Sequence, residues 1–171
     1  YHEHMSYHSL KPLINFFENL DLEVFDCERV EAQGGSIRVY ISHKNSFRVN
    51  RKKILSLIKK EKKIGLFGTK IYKKYYSQIN YQKSKLIKIL KKFKKKNLRI
   101  YGFGAPAKLT TFSYVFKIEK KLFHAIVDDN KFKQNLYTPG KKIPIISYQK
   151  LIKEDFDVIL IFAWNFSHSI I

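Results

Sequence analysis

The chain has 171 residues, enough for one sizeable core or two small ones, and carries 34 Lys and Arg against 14 Asp and Glu for a formal net charge of +20. No apolar run reaches the roughly 18 residues of a membrane span, and no stretch resembles a signal peptide, so no membrane partner is expected. A single cysteine, Cys27, excludes an internal disulfide framework and predicts a cytoplasmic, reducing setting with Cys27 as a small buried hydrophobe.

In chain order, Ser9 is placed to cap a helix whose first turn holds Pro12, where the missing N–H does no harm. Leu13, Phe16, Phe17 and Leu20 give that helix an apolar face. Residues 22–30 read as a strand, Gly34 and Gly35 as a turn, and residues 36–42 as a second strand alternating Ile37, Val39 and Ile41 with polar neighbours. The pattern is a helix followed by an antiparallel hairpin.

Residues 46–97 are Lys-rich and helical, with Gly65 and Gly68 marking a break between two helices. Tyr72, Tyr76, Ile79, Leu86, Leu90 and Phe93 form one apolar stripe, which Lys83 interrupts. Lysines at 91, 92 and 94–96 suit the negative end of a helix dipole. From residue 98 the pattern changes to strands at 98–103, 123–127, 143–146 and 158–163, with helices predicted at 105–116 and 147–152. Continuous apolar strands alternating with helices predict a parallel sheet covered on both faces, an α/β domain.

Four constellations carry candidate chemistry. Tyr1-His2-Glu3-His4 gathers titratable side chains before a helix cap, as proton abstraction at carbon requires. No cysteine or carboxylate completes a metal set with His2, His4 and His8, so no metal is expected in this chain. Gly102-x-Gly104-x-x-Ala107 closes a strand and opens a helix in the manner of a dinucleotide fingerprint, with Asp128 at the end of the next strand and Pro106 as an unusual residue within the pattern. A tight turn with no ligand explains the same pattern. Asp128-Asp129-Asn130 begins a polar loop running to Pro139-Gly140, and Trp164 follows the last apolar strand. The fingerprint turn, Asp128 and Trp164 lie at strand carboxyl ends, where open parallel sheets bind ligands.

In this order, Tyr1-x-Glu3-His4, the run from Gln33 to Tyr40, Gly102-Phe103-Gly104-Ala105-Pro106-Ala107-Lys108, Val127-Asp128-Asp129-Asn130, Tyr137-Thr138-Pro139-Gly140 and Ala163-Trp164-Asn165-Phe166 resemble the sugar-nucleotide C-methyltransferases. Each motif is weak alone; the ordered set spans Tyr1 to Phe166. The resemblance implies three parts in the complete enzyme: an N-terminal zinc-binding region, a central class I domain binding S-adenosylmethionine, and a Rossmann-like C-terminal domain. Residues 1–45 then correspond to the last helix and antiparallel hairpin of the methyltransferase domain. Residues 46–97 are a Lys-rich helical connector, and 98–171 the Rossmann-like parallel-sheet domain. A start at Tyr1 without an initiator Met predicts a fragment, inactive alone, with zinc and most of the S-adenosylmethionine site upstream.

The substrate implied is a nucleotide-diphosphate keto sugar, methylated at the carbon beside its carbonyl. His4 matches the base, and Tyr1 and Glu3 match positions that orient the base or the sugar. Gly102, Gly104 and Ala107 would leave room for a phosphate at the helix start, with Lys108 adding charge. Asp129 and Asn130 would bind hydroxyls and Trp164 would form a wall. This edge is expected to face His4 across a shared cleft. Two alternatives stand beside this reading: an NAD-dependent oxidoreductase built on Gly102 to Asp128, and a basic RNA-binding module. Lys outnumbers Arg 29 to 5, which argues against nucleic acid as the primary partner, because base-reading and phosphate-forking surfaces favour Arg.

Overall fold

The computed structural model describes residues 6–171, which form two compact units, one running to Ser77 and the other Gln78–Ile171. In the first, α1 (Leu10–Glu18) precedes a hairpin of β1 (Leu22–Val30) and β2 (Ser36–His43), followed by α2 (Arg51–Ile64). The strands pair antiparallel with one register shift between Val24 and Asp26. Leu10, Val24, Cys27 and Ile54 form the core, so helix, hairpin and α2 share one apolar centre. Cys27 is 1% exposed, and burial pushes its thiol pKa up, which suits the packing role expected of it.

Ser9 occupies the N-cap position of α1, but its side chain makes no capping bond. The cap comes from α2: the buried Glu61 carboxylate accepts the Leu10 N–H at 2.5 Å and the Lys11 N–H at 3.3 Å. An anion at a helix N-terminus is favoured both by the orphan N–H groups and by the dipole. At the other end of α2, Gly65 takes φ +88° and closes the helix through bonds to Glu61 and Lys62 carbonyls.

α3 runs Thr69–Lys95. Its apolar stripe is only partly used: Leu86, Leu90 and Phe93 pack on the core of the second unit, while Tyr72 and Tyr76 are 56% and 67% exposed. An amphipathic pattern records where a face is apolar, and a phenol tolerates water at its polar end. Among the described residues, no helix is long and apolar enough to cross a membrane.

The second unit holds a parallel sheet of β3 (Ile100–Phe103), β4 (Ile126–Val127), β5 (Ile145–Ile146) and β6 (Val158–Ile161), in the order β5-β4-β3-β6. Successive residues face opposite sides. Ile100, Ile126 and Phe162 pack with Leu90 and with Leu109 of α4 (Lys108–Val115). Tyr101, Val127 and Ile146 pack on the other face with Leu151 of α5 (Tyr148–Leu151). Apolar residues on both faces are what a doubly covered parallel sheet requires. A last short helix, α6, spans Ser167–Ile170.

Several elements are shorter than expected. α4 begins at Lys108 rather than 105, because Pro106 pushes Ala105 out of the helical region, and the Ala105 N–H is bound elsewhere. β3 begins at Ile100 because Leu98 N–H still closes α3 on the Phe93 carbonyl, with Asn97 left-handed at φ +59°. β4 keeps only two ladder residues, since Phe123 N–H is engaged by the Lys120 carbonyl and β5 offers two partners. β5 begins after Pro144, which has no N–H to donate. β6 ends at Ile161, where Phe162 and Ala163 N–H both turn to the Phe103 carbonyl.

Candidate functional site

β3 is the hub of the sheet. One connection leaves it toward β4 and β5, and the chain then returns to place β6 on its other side. The carboxyl end of β3 is therefore the switch point where such sheets open a crevice. Three segments meet there: the turn at residues 104–107, the loop after β4, and the residues after β6.

The two glycines of the turn make room for the protein's own neighbours. A Cβ at Gly102 would lie 2.5 Å from the Phe162 ring and 3.0 Å from the Ile126 side chain. Gly104 has φ +83°, and a Cβ there would lie 2.6 Å from the Ala163 Cβ. Its N–H donates to the Val127 carbonyl at 2.7 Å, which locks the turn to β4.

Asp128 holds the turn from the side. One carboxylate oxygen accepts the Ala105 N–H at 2.7 Å, and the other accepts the Asn130 N–H at 2.9 Å. The Lys133 ammonium donates to the Ala105 carbonyl at 3.0 Å and lies 3.5 Å from the same carboxylate. Gln134 donates to the Asp128 carbonyl at 2.9 Å. Both oxygens of Asp128 are thus engaged by backbone N–H groups, in the place where a dinucleotide fold would offer a carboxylate to a ribose. In the loop beyond, Asp129 and Asn130 are exposed, and the Asn130 side-chain oxygen accepts the Phe132 N–H at 2.9 Å.

Ala107 and Lys108 open α4. Their N–H groups precede the first helical bonds, which run from Leu109 to Pro106 and from Thr110 to Ala107. Such first-turn donors favour an anion. The Lys108 ammonium sits 4.0 Å from the centroid of the Trp164 ring, and burial lowers its pKa. Trp164 itself is 47% exposed and backed by Phe112 with ring centroids 6.0 Å apart. The structure therefore brings Gly102, Gly104, Ala107, Lys108 and Trp164 to one edge, with Asp129 and Asn130 on the loop after the adjacent strand. Tyr1, Glu3 and His4 lie outside the described residues.

On the β4–β5 side of the same turn is a cleft of about 500 Å³. Ala105, Pro106 and Ala107 form one wall, and Lys133, Leu136 and Tyr137 line another. The sequence pattern alone assigns residues 133–137 no role beyond a polar loop. The residues that line it come together as a wall only once β4 and β5 pair.

Residues 31–171 match the family described as the C-methyltransferase C-terminal domain. Across its whole length the chain is also 25% identical to the C-methyltransferase NovU of Streptomyces niveus, of which it spans 41%.

Proposed function

Because this chain belongs to the C-methyltransferase C-terminal domain family, we propose that it serves a C-methyltransferase acting on a nucleotide-diphosphate keto sugar in the cytoplasm. The observation that carries the reading is the convergence of an anion-favouring helix start, a cation and an exposed indole on one strand edge, at Ala107, Lys108 and Trp164. A diphosphate suits the helix start, and an overall charge of +20 draws polyanions toward it. Asp129 and Asn130 offer hydrogen-bonding groups to hydroxyls, and Trp164 offers an apolar wall to a sugar face.

In this reading His4 acts as the base. It takes the proton from the carbon beside the sugar carbonyl; the C–H pair moves into the carbonyl system and leaves a carbon nucleophile. Glu3 and Tyr1 orient the imidazole or the sugar, and a neighbouring carboxylate raises the imidazole pKa while burial lowers it.

The methyl donor inferred from the resemblance is S-adenosylmethionine, with zinc in a separate N-terminal region. The turn after β3 does not fit that donor. The open faces of Gly102 and Gly104 are filled by Phe162 and Ala163, so no glycine cradle is left for it at that turn. Its site therefore falls to other residues of the enzyme. Calorimetry on this chain is expected to give no micromolar binding of S-adenosylmethionine; such binding would count against the division of labour. His4→Asn in the enzyme carrying this chain is expected to lower kcat about 100-fold or more with sugar-nucleotide affinity nearly unchanged. A near-normal rate would remove His4 from its role.

A further inference from the structure

We infer that a lysine-lined cleft between α3 and the α4–β4 connection is a second ligand site, for a small polyvalent anion, a triphosphate or a tricarboxylate. It belongs to the second unit and does not depend on the sugar-nucleotide reading. Because β3 and β4 are parallel, the chain that leaves the carboxyl end of β3 through α4 must return to the amino end of β4. The return, and the end of α3 just before β3, therefore lie at the amino edge of the sheet, away from the turn at residues 104–107.

The first ground is the lysine that interrupts the apolar stripe of α3. The stripe runs through Ile79, Leu86, Leu90 and Phe93, and Lys83 takes the place between Ile79 and Leu86 where the spacing calls for an apolar residue. Lys83 is half-buried, whereas Lys85 and Lys88 of the same helix are exposed. An ammonium carried on a core-facing stripe costs desolvation, which an anionic partner offsets.

The second ground is charge. Lys83, Lys91, Lys117 and Lys121 share the walls of the cleft with one carboxylate, Glu119. Glu119 pairs with Lys121 at 2.8 Å, and among the described residues no carboxylate forms an ion pair with Lys83, Lys91 or Lys117. Like charges gathered on one small concavity repel one another, and a polyvalent anion converts that repulsion into attraction. Lysine suits such an ion, since its compact ammonium approaches from any side without a fixed fork.

The third ground is shape. At about 280 Å³ the cleft lies below the range of drug-sized sites, roughly 300–1,000 Å³, which favours a compact ion over a nucleotide. Its floor is apolar, with Leu122 buried and Ile87 packed on the core, so charge there is screened less than on an open surface. Ser84 adds a hydroxyl that can donate to an anion oxygen. The turn carrying Lys117 is fixed by N–H bonds from Lys117 to Tyr114 and from Ile118 to Ser113, with Lys117 left-handed at φ +53°.

The test titrates the full chain with tripolyphosphate, citrate and orthophosphate at low salt, following the methyl resonances of Ile87 and Leu122. Tripolyphosphate or citrate is expected to bind about tenfold more tightly than orthophosphate and to shift both residues, and the tighter of the two tells whether the site prefers phosphate or carboxylate oxygens. Lys83→Met keeps the stripe apolar, and Lys117→Gly suits the left-handed turn, so each removes a charge from a chain that still folds. Each should weaken binding about fivefold. The paired change Lys85→Gln and Lys88→Gln, on the exposed side of α3, and Lys108→Ala, at the other edge of the sheet, should each alter it less than about twofold. The site is overturned if Ile87 and Leu122 do not shift, or if orthophosphate binds as tightly as both polyvalent ions. It is also overturned if the Lys85 and Lys88 pair weakens binding as much as Lys83→Met, which marks a diffuse response to net charge, or if only Lys108→Ala weakens it, which places the anion at the carboxyl edge.

Discussion

The tip of the β1–β2 hairpin and the carboxyl end of β3 each carry two glycines, in opposite surroundings. At the hairpin tip Gly34 and Gly35 have φ +83° and +114°, and a Cβ on either would meet nothing within 4 Å. At the end of β3, Phe162 and Ala163 stand where the Cβ atoms of Gly102 and Gly104 would be. The first pair serves backbone freedom alone. The second serves close approach of β6 to β3, and Gly104 serves both. Glycines that suggest an open phosphate site in a linear sequence here let one strand lie against another, so the anion-favouring part of the turn shifts to Ala107 and Lys108.

The strongest challenge to this contrast is Gly104→Ala. It adds a left-handed backbone penalty to a collision with Ala163, and a loss of about 3 kcal/mol or more is expected in denaturant unfolding. A mild effect would mean that β6 yields easily and that the glycine is there for another reason. For the same cause, a Gly104 substitution is a poor probe of ligand binding, and Lys108→Ala is the better one: it should raise the sugar-nucleotide Kd about fivefold without unfolding the chain.

Asp128→Ala comes next, at about 2–3 kcal/mol, because it leaves the Ala105 and Asn130 N–H groups and Lys133 without their carboxylate. Hydrogen exchange should rise at Ala105 and Asn130, while the β1–β2 hairpin stays unchanged.

Tyr101 sharpens the comparison from the other face of β3. It is 2% exposed, its hydroxyl donates to Glu154, and burial with that bond pushes its pKa up to about 12. An unfolded tyrosine titrates near 10. The fold therefore favours the neutral phenol: its contribution is complete below about pH 10 and is lost as pH rises toward about 12. Tyr101→Phe should remove that alkaline slope from the denaturation midpoint and cost about 1 kcal/mol at neutral pH. An unchanged slope would mean that another group titrates there.

The smallest effect is expected at the hairpin. Gly34→Ala meets open space and bears only the left-handed penalty, about 1 kcal/mol. A loss as large as that at Gly104 would show that the hairpin tip contacts something beyond the chain's own atoms.

Much of the architecture is legible in the sequence because it rests on local rules. Period-two alternation with a Gly34-Gly35 turn yields the hairpin, and β1 spans the 22–30 stretch that the pattern marks. Apolar runs separated by helical stretches yield a parallel sheet covered on both faces, and the family match covers all of that sheet. Element ends were less legible, since Pro106 restricts the backbone of Ala105 and Pro144 removes a donor, and neither effect can be placed until the neighbouring bonds are known.

The partners of individual side chains were decided by tertiary structure alone. Ser9 has the right residue type and position for a cap, yet Glu61 supplies the bond from 51 residues away. Asp128 sits where a ribose ligand would be expected, yet it holds the Ala105 N–H 23 residues back in the chain. The cleft beside that turn draws its walls from residues 105–110 and 133–139, which are separate in sequence and meet because β3, β4 and β5 align. A linear pattern encodes steric and periodic preferences over a few residues. Which donor meets which acceptor, and which glycine faces a void or a ring, follows from packing between segments far apart in the chain.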